Sequence, residues 1–362
     1  MIRNSLKILI PILGFGRAGG MRVLSQLANH WNKQGHNVSM VSFYESEDQY
    51  YPCNVEKIWI NMNGQKVERN NTRYKNKYLG LRRMYATYNF IKRNSHKYDI
   101  VLANQNFTTW PIILGSKTNN FYYIQAYEPE FYTKSSLKSR IQSLLAKFTY
   151  YLPLKRIVNA DIYKKYKGLR ANRVIPPGLD LQIFNPKAFN DYRKEEFVIG
   201  CIGRIEEWKG SNDVTEAIKI LHEKGYNVKY RVAFNPVNYD KFELVKPDGD
   251  KNLADFYRSL DILVAPGHIQ LGAVHYPVIE AMACKTPVIT TGYYPANNEN
   301  AYIVPVKNPS LIANTIIEIM EDYEKATEKA EIAYKTVSQF DWKIVSAKFI
   351  DIFNAELKGE KE

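Results

Sequence analysis

The residues in this chain best suited to chemistry are Arg204 and Lys209, in the stretch Ile199 to Gly210 (IGCIGRIEEWKG), and Glu280, in Tyr276 to Pro287 (YPVIEAMACKTP). Two fixed cations can offset the charge that gathers on a departing phosphate, and a carboxylate can accept from paired hydroxyls. Pro277 suits the first turn of a helix, with Glu280 expected in that same turn. The N–H groups near Tyr276 to Val278 would then face an anion.

The elements around these residues place them. Val198 to Ile202 is a short apolar, β-branched run and reads as a buried strand closed by Gly203. Val214 to Leu221 reads as the following helix, with Asn212 or Asp213 able to cap it. The cations therefore sit at the carboxyl edge of a sheet, where ligands bind in open α/β folds.

The earlier half repeats this grammar. Lys7 to Leu13 reads as a strand; Gly14, Gly16, Gly19 and Gly20 form a loop into a helix from Met21 to Gln34, and Val38 to Phe43 is a second strand. His36 is a turn residue. Asp99 to Ala103 and Phe121 to Ile124 read as further buried strands. The later half adds strands at Val228 to Phe234, Ile262 to Ala265, Val288 to Thr290 and Tyr302 to Pro305. Its helices are expected at Leu253 to Leu260, Leu311 to Met320, Tyr323 to Val337 and Phe340 to Leu357. Strands alternating with helices imply parallel sheets in an α/β protein. The Pro, Gly and Asn density of Val174 to Pro186 marks a boundary.

A chain of 362 residues with 45% hydrophobic content has room for two domains. Cys53, Cys201 and Cys284 are widely spaced, which suggests neither disulfides nor a zinc site and fits the cytosol. The formal charge of +13 is uneven: residues 1–185 hold 28 Lys and Arg against 10 Asp and Glu (+18), and the rest hold 22 against 27 (−5). Cations cluster with Tyr, Leu and Phe in Lys66 to Lys97 and in Lys134 to Arg156. Such a face suits an anionic bilayer, and nucleic acid is set aside because no recognition motif accompanies the charge. The longest apolar run, Ile8 to Phe15, is too short to span a membrane and flows into a glycine-rich turn, unlike a signal peptide. Lys134 to Tyr151 reads as an amphipathic helix with Leu137, Ile141, Leu144, Leu145 and Phe148 on one side. It either packs that side on its own sheet or, given its basic polar face, docks at a membrane edge.

With Lys251 to Pro266 (KNLADFYRSLDILVAP) between them, the two chemical stretches resemble the carboxyl half of glycosyltransferase family 4, retaining enzymes of the GT-B fold. That family reads G-R-x(4)-K-G and P-x-x-E-A-M-A-x-G-x-P-V-I; here the second block is P-V-I-E-A-M-A-C-K-T-P-V-I. GFGRAGGMRVLSQLANHWNKQGHNVSMVSF resembles the family's opening. Gln125-Ala-Tyr-Glu-Pro-Glu-Phe131, where most members carry a His, resembles a bacterial subgroup that includes surface-polysaccharide rhamnosyltransferases.

The resemblance implies two Rossmann-like domains facing across a cleft: 1–180, completed by a C-terminal helix 340–362, and a donor domain 181–339. It implies Arg204 and Lys209 as catalytic cations on a nucleotide-diphosphate sugar, with no cofactor and no metal. Donor-binding positions would be Gly16, Gly19, Gly20, Gly203, His275, Tyr276, Pro277, Val278 and Glu280, the last on the ribose. Glu128 would bind acceptor or donor hydroxyls as a catalytic group, or only cap a turn. One departure stands out: Gly272 occupies the place of the first Glu of the family's pair, and Lys285 stands where glycine is common. His275, His268 or Glu128 would compensate, the sugar would be a deoxysugar, or catalysis would be lost with donor binding kept. The expected protein is thus a cytoplasmic transferase, peripheral at the inner face of a bacterial plasma membrane. It would pass a sugar to a lipid-linked or growing cell-surface glycan. The alternative is a non-catalytic nucleotide-sugar-binding partner.

Overall fold

The structure, a computed structural model, describes residues 5–16, 19–70, 79–132, 136–186 and 196–359. The chain forms two contact units, Met1–Gly178 with Trp342–Glu362, and Leu179–Asp341.

The first unit holds β1 (Lys7–Pro11), α1 (Gly19–Lys33), β2 (Asn37–Phe43), β3 (Glu56–Ile60), α2 (Leu79–Asn94), β4 (Ile100–Ala103) and α3 (Asn106–Gly115). β5 (Asn119–Ile124), α4 (Leu137–Thr149), β6 (Lys155–Val158) and β7 (Arg173–Val174) follow. All seven strands are parallel, in the order β3-β2-β1-β4-β5-β6-β7. β1 and β4 are covered on both faces, which their unbroken Ile, Leu and Val runs require of central parallel strands.

The second unit holds β8 (Phe197–Gly203), α5 (Ser211–Glu223), β9 (Val228–Phe234), β10 (Glu243–Val245), α6 (Gly249–Arg258), β11 (Ile262–Ala265) and α7 (Tyr276–Ala283). β12 (Val288–Thr290), β13 (Tyr302–Ile303), α8 (Pro309–Glu321) and α9 (Tyr323–Val337) complete it. Its six parallel strands run β10-β9-β8-β11-β12-β13. Each sheet is built outward on one side and then the other, so each has one switch point, at β1/β4 and at β8/β11.

The last helix, α10 (Trp342–Lys358), returns to the first unit. There Trp31 lies edge-on to Phe349 (5.6 Å) and donates its indole N–H to the Ser346 carbonyl at 3.0 Å. Glu356 pairs with Lys155 at 2.7 Å and Arg173 at 2.5 Å, fastening the helix to β6 and β7. No helix among the described residues is long and apolar enough to cross a membrane.

Several local expectations need correction. Gly19 and Gly20 open α1 instead of lying in the loop before it. β13 stops at Ile303, short of Pro305. β3, β6, β7 and β10 escape the sequence reading because they are short and half-exposed, without a clear apolar run. The helix expected from Lys134 is the shorter α4; of the two placements left open for its apolar side, the one against the sheet is not taken, since Leu137, Ile141, Leu144, Leu145 and Phe148 are exposed, while Ser139, Ala146 and Thr149 are buried. Lys134 itself lies outside the described residues, as do 71–78 of the basic run and 360–362.

Candidate functional site

At the β8/β11 switch point, one cavity is lined by Ile202, Arg204, Lys209, Ser211, His275 and Pro277, among others. β8 delivers Arg204, whose N–H donates to Ser211 Oγ at 3.0 Å; that hydroxyl donates in turn to the Ile202 carbonyl at 3.2 Å. The strand end and the start of α5 are thus one unit. A tight turn, Glu207–Lys209, carries Lys209 and ends at Gly210, where φ is +76° and a Cβ would strike the Pro266 carbonyl. Only glycine fits such a left-handed, close-packed position. The N–H of His268 donates to the Trp208 carbonyl at 2.8 Å, tying this turn to the loop after β11.

The electrostatics show how near the groups are. Burial, followed by the neighbouring Arg204 guanidinium, lowers the pKa of Lys209. Burial, then Lys209 and Arg204, hold His275 well below the ordinary histidine value, so it is neutral at physiological pH. Its ring packs on Tyr293 at 4.6 Å, and its buried Nδ1 has no hydrogen-bond partner. Buried polar nitrogens are nearly always hydrogen-bonded, so this one stands out. The Arg204 guanidinium reaches outward and lies 5.9 Å from the Phe234 ring centroid.

The structure therefore gathers Arg204, Lys209, His275 and Pro277, and Gly203 is adjacent at the end of β8, its carbonyl accepting from Asn235 Nδ2 at 3.1 Å. The helix start contributes less than expected. Pro277 has no N–H, and those of Val278 and Ile279 donate to the His275 carbonyl at 3.0 and 3.3 Å. Val278 is a core side chain, and Tyr276 is the first residue of α7. Glu280 lies one turn further on than expected, 1% exposed, its Oε2 accepting from the Tyr257 hydroxyl at 2.8 Å. His268 is engaged by Asp213, Nε2 to Oδ2 at 2.6 Å. Neither Asn212 nor Asp213 caps α5, which starts from Gly210 without a side-chain cap.

Gly272 has φ +90°, a backbone form that disfavours any side chain, so the glutamate that the resemblance implies for this position would be strained here. Lys285 is also left-handed, φ +55°, which accounts for the glycine common there; its Nζ pairs with Glu331 at 2.5 Å.

In the first unit, Gly16 follows β1, and Gly19 and Gly20 begin α1; the Gly20 carbonyl accepts from Gln125 Nε2 at 3.4 Å. Glu128 caps α3: both carboxylate oxygens accept from the Asn106 N–H at 3.1 Å, and Tyr122 donates to Oε1 at 3.4 Å. Desolvation pushes its carboxyl up to about 7. The structure thus shows this carboxylate as a cap, on a helix start and not only on a turn.

Ser211, Tyr257 and Tyr293 are the supporting residues the sequence did not reveal. Ser211 sits directly after a glycine at a helix start, a signal that could have found it. Nothing distinguishes the two tyrosines among the 27 in the chain. Among the described residues no three His, Cys, Asp or Glu side chains gather into a metal-binding group.

Two parallel-sheet α/β units of this topology define the GT-B architecture. Residues 196–322 match the family model described as glycosyl transferases group 1. The second unit thus carries a stretch similar to the group 1 glycosyl transferases, and the chain has the GT-B fold. It is 29% identical over 199 residues to the capsular polysaccharide biosynthesis glycosyltransferase CapM of Staphylococcus aureus, covering 49% of this chain and 52% of that one. The chain spans about half the length of the curated relatives it matches. Among solved structures, sucrose-phosphate synthase from Thermosynechococcus elongatus shares the fold with TM-score 0.77 at 16% identity, over 98% of this chain and 100% of that one. Anabaena Alr3699/HepE, solved with UDP and glucose, does so with TM-score 0.71 at 16% identity, over 97% and 100%.

Proposed function

We propose that the protein transfers a sugar, with retention of anomeric configuration, from a nucleotide-diphosphate donor to a lipid-linked or growing cell-surface glycan. The observation that carries this is the cavity at the β8/β11 switch point, lined by Arg204, Lys209 and His275 among others. Breaking a sugar to diphosphate bond leaves negative charge on the departing phosphate, and preorganised cations and donors at that place lower the barrier. Arg204 and Lys209 supply the cations, in place of a metal. His275, neutral and with Nδ1 unpaired, offers one hydrogen bond to a phosphate or sugar oxygen. Glu280, held by Tyr257, is assigned to the ribose.

The role of CapM in capsular polysaccharide biosynthesis, together with the basic residues of 1–185, supports a surface-glycan acceptor reached at an anionic membrane face. The absence of a glutamate at Gly272 supports a sugar lacking the usual hydroxyl pattern, such as a deoxysugar. Turnover of a panel of UDP, dTDP and GDP sugars with membrane-lipid acceptors tests the reading; release of nucleoside diphosphate coupled to acceptor glycosylation is expected. The same observation at Gly272 favours a second reading, a non-catalytic donor-binding partner. Donor binding without turnover across the panel would establish that one instead.

A further inference from the structure

Helix α4 is built the wrong way round for a globular protein. Its inner side is small and polar, with Ser139, Ala146 and Thr149 buried, while the apolar side chains face water: Leu137 is 74% exposed, Leu144 67%, Phe148 54%, Leu145 50% and Ile141 49%. At about 100° per residue these five fall within an arc of roughly 100° opposite the buried side. Lys138 flanks the arc on one side, Arg140 and Lys147 on the other, and α4 carries no acidic residue. The stripe extends onto α3, where Trp110 stacks on Phe148 (5.7 Å, interplanar angle 1°) and Leu114, one turn along, is 68% exposed. A contiguous apolar patch rimmed by charge marks an interaction surface.

We propose that this stripe is the element that enters the bilayer: α4 lies in the membrane plane with Leu137, Ile141, Leu144, Leu145 and Phe148 among the acyl chains. Lys138, Arg140 and Lys147 would rest on anionic headgroups. That is the geometry of an interfacial amphipathic helix, with a broad apolar arc and cations along its borders. The charge chooses the occupant. A second copy docked through the same stripe would press three cations of α4 against their counterparts, whereas an anionic lipid surface complements all of them. The inference names the anchor for the membrane surface invoked above. It is tested without donor or acceptor, so its failure leaves sugar transfer untouched.

The experiment is sedimentation of the full chain with vesicles of phosphatidylcholine alone and of phosphatidylcholine mixed with phosphatidylglycerol. Binding is expected only to the mixed vesicles. Leu144→Glu with Leu145→Glu is expected to lower bound protein by roughly tenfold or more, since charge is costly in the acyl region. Lys138→Gln with Lys147→Gln is expected to weaken it by several-fold and to flatten its salt dependence. All four side chains are exposed, so an unchanged melting temperature and elution volume serve as the fold control. Equal binding of wild type and the Leu144→Glu, Leu145→Glu variant overturns the proposal. So does a wild-type dimer in gel filtration that this variant converts to monomer, which would assign the stripe to a second copy.

Discussion

The strand order switches side at equivalent places in the two sheets, β1/β4 and β8/β11, yet the described side chains there differ in kind. At β1/β4 the described polar groups serve the protein itself. Asn104 donates its amide to the Pro11 carbonyl at 2.7 Å, Gln125 reaches the Gly20 carbonyl, and Glu128 caps α3. The buried orphan there is an acceptor, Asn104 Oδ1. At β8/β11 the unspent groups are two cations and the Nδ1 of a neutral histidine. An unpaired acceptor is satisfied by a hydroxyl, whereas clustered cations call for an anion. Among the described residues, one fold used twice therefore carries different side chains at its strand ends, and on the reading proposed above the second set is the one suited to phosphate.

The sharpest way to break this contrast is to remove a cation. Arg204→Ala or Lys209→Ala is expected to lower turnover by about 10²–10³-fold, while Glu128→Gln in the first unit leaves the rate within a fewfold. Single-turnover measurements on the three variants check this, and comparable losses in all of them would erase the distinction. Because the Lys209 pKa is lowered from 10.5, donor affinity should fall on the alkaline side earlier than for an ordinary lysine. A titration of donor binding against pH, with Lys209→Arg as the variant that restores the flat profile, sharpens the point.

Next in size is the support behind the site. Tyr257→Phe removes the hydroxyl from a carboxylate 1% exposed and is expected to destabilise the second unit by about 1.5–3 kcal/mol in denaturant unfolding. Gly272→Ala forces a side chain into the left-handed region at φ +90° and should cost about 1–2 kcal/mol by the same measurement. A Gly272→Glu variant that gains both stability and turnover would show that the loop tolerates the glutamate after all.

The smallest effect is a slope. The native Glu128 carboxyl has a pKa of about 7 against 4.5 for the free group, so between these values the folded chain holds a proton that the unfolded chain releases. Stability therefore falls as pH rises through that window. Glu128→Gln should flatten this dependence of the melting temperature, and an unchanged slope would contradict the assignment.

The α/β architecture was legible because central parallel strands, buried on both faces, print continuous apolar runs such as Ile8 to Ile10 and Ile262 to Ala265. Edge strands such as β7 and β10 print no such run and went unread. The gathering of Arg204 and Lys209 followed from a strand end and a helix start, both local signals. Two features were not legible, and one was left open. The His275 carbonyl takes two amides at the start of α7, Glu280 is bonded to Tyr257 from another helix, and the stripe of α4, whose direction the pattern left undecided, faces outward. Each depends on which neighbour packs against an element, and periodicity does not encode that. An amphipathic pattern gives the width of an apolar face, whereas only the packed structure gives its direction.

Whether Arg204 and Lys209 hold a diphosphate is decided by calorimetric titration of UDP, dTDP and GDP into wild type, Arg204→Ala and Lys209→Ala. The preferred nucleotide should bind wild type, and each substitution should weaken it by roughly tenfold or more, the scale of a charge-assisted hydrogen bond. Affinity unchanged by both substitutions, in folded protein, would contradict it.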